Sequence, residues 1–66
     1  MTDNSKKEST AECMYRHWLG EARKHGRYQR AAVEYLTQVK AEGVNGEIFS
    51  MLKDRIEAAL GERVAI

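Results

Sequence analysis

Apolar residues fall in three stretches of this chain at helical spacing, and glycines separate the stretches. Ala11, Met14, Tyr15, Trp18 and Ala22 repeat at intervals of three and four up to Gly26. Tyr28, Ala31, Ala32, Tyr35, Leu36 and Val39 form a second stripe before Gly43, and Ile48, Phe49, Leu52, Ile56, Ala59 and Leu60 a third before Gly61. Each stripe lines one face of a helix and leaves the other faces polar. The pattern predicts an all-α fold: an antiparallel hairpin of helices at about 10–25 and 27–42, then a third helix at about 46–60.

Local signals support these limits. Ser9 followed by Glu12 reads as a capping box for the first helix, in preference to Ser5 with Glu8, because the apolar repeat begins only at Ala11. Glycines at 26, 43 and 61 supply the conformation that ends a helix, Asn45 is a side-chain cap for the third, and Glu47 complements its first turn. The chain has no proline. Gly20 lies mid-helix, where it costs about 1 kcal/mol relative to Ala. Residues 1–8 are polar and without periodicity and are expected to be a disordered tail, leaving 9–66 as a single small domain.

A chain of 66 residues has a core that supplies roughly 3–5 kcal/mol, and small folds are usually reinforced by disulfides, a metal or a partner. The single cysteine, Cys13, cannot form an internal disulfide, and two histidines are too few for a closed zinc site. A partner or self-association is the remaining reinforcement. The apolar fraction of 42% and charged fraction of 32% suit a folded helical domain. No apolar run approaches a membrane span, and residues 1–15 lack the apolar segment of a secretory signal, so the expected location is cytoplasmic.

Charge is unevenly distributed, although the net charge is only +1. Residues 16–30 hold Arg16, Arg23, Lys24, Arg27 and Arg30 against Glu21 alone, with His17 and His25 among them. Cations mixed with Trp18 and Tyr28 resemble the equipment of a nucleic-acid surface. The acidic remainder of the chain and the place of both aromatics on apolar stripes turn the expectation toward an acidic protein surface.

Candidate chemistry is sparse. Cys13, His17 and Glu21 stand four residues apart on one side of the first helix, but a straight row cannot wrap a tetrahedral ion, and no metal or other cofactor is expected. Cys13 with His17 is the one candidate nucleophile–base pair, and a three-helix chain of this size is expected to offer no concave pocket to seat a substrate; the five glycines are isolated rather than clustered as a phosphate-binding loop. The chain is not expected to be an enzyme. Leu19, Val33, Met51, Val64 and Ile66 lie off the stripes. With Arg23, Arg27 and Arg30 they are the candidate partner contacts, while Tyr28, Ala31, Ala32, Tyr35 and Val39 are expected to be mostly core.

Tyr15, Trp18, Leu19, Ala22, Gly26, Tyr28, Ala31, Tyr35 and Val39 fall near the large and small packing positions of one tetratricopeptide unit, which this segment resembles. Leu19 stands where that repeat has a small residue, its closing proline is absent, and only one copy is present. Gly26, Tyr28, Ala31, Ala32, Tyr35 and Asn45 also resemble the pattern of the ANR family (AraC negative regulator), short bacterial and phage proteins. Tyr35 stands at one of that family's tryptophans, Ile48 or Phe49 at the other, and its terminal cysteine is missing. The resemblance covers about half the chain. It implies a small regulator that docks a helical face on a larger protein and inhibits a transcription activator. A type III secretion co-chaperone-like adaptor and a small nucleic-acid-binding protein using residues 16–30 are the alternatives, and a homo-oligomer is compatible with each.

Overall fold

The computed structural model describes residues 2–66, with side chains described from Glu8 onward. Three helices follow one another: α1 (Thr2–His25), α2 (Tyr28–Ala41) and α3 (Gly46–Leu60). The described residues form a hairpin with a third helix, the all-α arrangement that the stripes predict. Helix α1 departs from expectation at its start, since it reaches back to Thr2 and carries Ser9 and Glu12 inside the helix rather than at its cap. Residues 2–9 contain neither glycine nor proline, so nothing in the backbone stops the repeat from continuing. Of the segment read as a tail, Met1 and the side chains of 2–7 lie outside the described residues.

The links follow from their residues. Gly26 at φ 66°, Gly43 at φ 79° and Gly61 at φ 75° stand directly after or near the three helix ends, in the left-handed region that residues with a Cβ avoid. The Gly26 N–H donates to the Ala22 carbonyl at 2.8 Å, so the turn into α2 needs only Arg27. At the head of α3 the Asn45 Oδ1 accepts from the Glu47 N–H at 2.8 Å and the Ile48 N–H at 3.4 Å, and Glu47 adds charge complementary to the helix dipole. Helix α2 has neither device. Arg27 at its cap makes no side-chain capping bond, and its first turn holds no acid.

The core runs between all three helices. Helix α1 contributes Ala11, Tyr15, Trp18 and Ala22, α2 contributes Ala32, Leu36 and Val39, and α3 contributes Leu52 and Ile56. Ala22 and Ala32 are fully buried on either side of the Gly26 turn, where small side chains let the backbones approach. Helix α3 runs parallel to α1: Met51 shares a groove with Glu8 and Ala11, and further along both helices Leu60 shares one with Trp18 and Leu19. After Gly61 the chain folds back, with the Val64 N–H donating to Glu57 Oε2 at 2.9 Å and Gln29 Nε2 donating to the Arg63 carbonyl at 3.5 Å.

Two residues exchange the places expected of them. Val64 is not a surface contact: it is 2% exposed and closes the core, because the return of the chain after Gly61 carries it inward. Tyr28 is not core: it is 42% exposed, because it is the first residue of α2, where the hairpin is only beginning to close. Its ring meets Trp18 edge-on, with centroids 6.4 Å apart.

A candidate protein-docking surface at the turn end

The basic segment of the chain is concentrated by the fold at one end of the bundle, where the last turn of α1 meets the first turn of α2. Arg23, Lys24 and His25 close α1, a placement that suits the negative end of its dipole. Lys24 Nζ and His25 Nε2 each lie 3.8 Å from a Glu21 carboxylate oxygen, and Arg30 Nε donates to Glu34 Oε2 at 3.1 Å. Arg16 lies 4.0 Å from Glu12. Arg23 and Arg27 have no carboxylate partner among the described residues, and both are exposed. Arg63, in the returning segment that Gln29 contacts, is likewise exposed and without a carboxylate partner among the described residues, so three guanidiniums are left uncompensated.

Apolar surface lies beside them. A shallow groove of about 380 Å³ is lined by Trp18, Leu19, Tyr28, Gln29, Leu60 and Glu62, among others. Leu19 and Arg23 stand one turn apart on the same face of α1, whereas Arg27 lines a different cleft. Trp18 is 1% exposed, and its indole Nε1 is buried with no hydrogen-bond partner. Burying a donor without an acceptor costs about 1–3 kcal/mol. On the other side of the turn a cleft of about 410 Å³ is lined by His25, Arg27, Arg30, Ala31 and Glu34.

The eight expected contacts do not form one surface. Leu19 lines one groove at the turn end, Arg27 and Arg30 line another, and Arg23 lies in the last turn of α1. Val33 is half-buried against the core, Val64 lies within it, and Ile66 is 40% exposed beyond it. Met51 lines a separate groove between α1 and α3 with Ala11, Asp54, Arg55 and Ala58. It lies nine residues before Leu60, which is roughly 13 Å along the helix axis. Arg55 bridges that groove, its guanidinium 4.2 Å from the Tyr15 ring centroid and its Nε 3.1 Å from Glu12 Oε1. The hydrogen bond to Glu12 and then the charge of that carboxylate push the Arg55 pKa above its ordinary range.

Cys13, His17 and Glu21 are all exposed. The His17 ring packs 5.9 Å from that of Tyr35, and Glu21 is shared by Lys24 and His25. No three His, Cys, Asp or Glu side chains among the described residues come together in a way that could hold a metal ion. Tyr35 is half-buried, and burial first, then Glu42 and Cys13, pushes its phenol pKa above the ordinary 10.0. No helix among the described residues is long and apolar enough to cross a membrane.

Sequence reasoning missed two contributors to the turn-end surface, the Tyr28 ring and Leu60. Tyr28 and Leu60 are the first residue of α2 and the last of α3, positions where periodicity assigns a face but cannot show that the facing helix has ended. No signal in the sequence marks the unpaired indole, since any buried Trp could find an acceptor. Comparison with protein-family models, curated proteins and solved structures found no match.

Proposed function

We propose that the chain is a small protein-binding regulator that docks its turn end on a larger protein. The observation that carries this reading is the apolar groove at that end, which Leu19, the exposed Tyr28 ring and Leu60 line, with Arg23 in the last turn of α1 and Arg27 in a second cleft, neither of which has a carboxylate partner among the described residues. Left to solvent, the apolar lining gains nothing from being exposed, and both gain from a complementary surface. The resemblance to the ANR pattern adds the expectation that the larger protein is a transcription activator, whose dimerisation or DNA contact would be blocked.

Affinity capture from source cells with the wild-type chain and with the Arg23→Glu/Arg27→Glu variant tests the reading. It expects a protein retained by the wild type and lost from the variant. An identical set of proteins on both, or none on either, contradicts it.

A further inference from the structure

Two of the grooves lie end to end along the seam where α1 and α3 run side by side, and the two ends of that seam differ in charge. The first groove is lined by Glu8, Glu12, Asp54 and Arg55, and the second by Leu19, with Arg23 one turn beyond it on α1. Arg55 is held by Glu12. Glu8 and Asp54 have no cationic partner among the described residues, and Arg23 has no carboxylate. We propose that the occupant of this seam is a second copy of the chain, packed antiparallel across a two-fold axis, so that the acidic end of each copy meets the basic end of the other. This association does not depend on the docking function proposed above.

The spacing of the charges fits one register. Along α1, Glu8, Glu12, Arg16, Leu19 and Arg23 recur at intervals of four and three, so they follow one face that is acidic at its start and basic at its end. A two-fold axis that sets Glu8 on Arg23 of the second copy passes between Tyr15 and Arg16. One that sets Arg55 on Glu62 of the second copy, in the lining of the second groove, passes between Ala58 and Ala59. Both points lie three to four residues beyond the Glu12–Arg55 bond, so on parallel helices they stand at one level and a single axis serves both pairs. Ala58, exposed and small, lies at that level and lets the copies approach. Arg16 falls nearest the axis, where Glu12, 4.0 Å away, offsets its charge.

Other occupants match only part of the seam. A uniformly basic segment would satisfy Glu8 and Asp54 and oppose Arg23, and a uniformly acidic one would do the reverse. The chain itself carries both signs in the order required. Its one cysteine is free and no metal-binding cluster occurs among the described residues, so a second copy also supplies the reinforcement that a fold of this size lacks. Gly20 follows Leu19 and so lies about 100° round the helix, off the seam. Leu19 and Arg23 belong to the turn end as well, so a partner docked there displaces the second copy.

Sedimentation of the full chain across concentration and salt tests the pairing. A monomer–dimer equilibrium is expected, shifting toward monomer as salt rises. Glu8→Lys/Asp54→Lys and Arg23→Glu should each weaken the dimer by roughly tenfold or more, because each sets like charges together at both symmetry-related contacts. An equimolar mixture of the two variants should recover the dimer, since one contact is then native and the other is its charge reversal. Circular dichroism confirms that each variant is folded.

A chain that stays monomeric up to about 1 mM overturns the proposal. So do a dimer indifferent to these substitutions, species larger than a dimer, and a mixture no more associated than its components. Glu8→Lys/Asp54→Lys leaves the turn end intact, so a partner captured there should still bind this variant, and dimer and docking fail separately.

Discussion

Replacing Gly20 by Ala should stabilise this protein. Gly20 lies inside α1, it is exposed, and a Cβ built on it meets no heavy atom within 4 Å. The substitution then removes backbone freedom from the unfolded chain and adds no clash, a gain of about 1 kcal/mol. For a domain of this size that raises the melting temperature by about 4–8 °C.

The same change at Gly61 supplies the control. Open space surrounds that position as well, but its φ of 75° is left-handed, and Ala there costs about 1–2 kcal/mol. One chemical substitution therefore moves the melting temperature in opposite directions at two exposed sites, as read by circular dichroism at 222 nm. A melting temperature for Gly20→Ala at or below that of the wild type would refute the reasoning. It would show that this face of α1 is packed in solution, and sedimentation across concentrations would identify a second copy as the cause.

Leu36→Ala removes a fully buried side chain between the helices and should cost about 2–5 kcal/mol by chemical denaturation, out of a total of roughly 3–10 kcal/mol for such a chain. Val64→Ala should lower stability measurably through lost burial, whereas Ile66→Ala, two residues on and 40% exposed, should change it little. In absorbance titration at 295 nm the Tyr35 phenol should ionise above pH 10, and Tyr35→Phe identifies its contribution. Its folded pKa is raised, so the stability it contributes is fully present below the unfolded value near 10 and is lost as pH rises through the folded one.

Much of the fold was legible because it depends on local rules. Gly26, Gly43, Gly61 and Asn45 act through their own backbone conformation or the next few amides, and the stripes that include Leu36, Val39, Leu52 and Ile56 point inward as helical spacing requires. What was not legible depends on where one element lies relative to another. Val64 follows the glycine that ends α3, and nothing near it in sequence announces that Glu57 accepts its N–H and turns it into the core. Tyr28 fits its stripe, yet the hairpin has barely closed at its position. The start of α1 was misplaced because Ser9 and Glu12 match a cap by type, while nothing before them interrupts the helix.

The candidate surface was legible in its charge and less so in its shape. The density of cations at 16–30 located the turn end, but sequence could not show that Lys24 and Arg30 find acids while Arg23 and Arg27 do not. Met51 belonged to the same set by its place off the stripe and proved to line a different groove.

The most direct test of docking through the turn end is an NMR map of the isotope-labelled chain with the captured partner added. The account predicts that the largest amide and side-chain shifts fall at Trp18, Leu19, Arg23, Arg27, Tyr28 and Leu60. Shifts centred instead on Ala11, Met51 and Ala58, in the groove between α1 and α3, would contradict it.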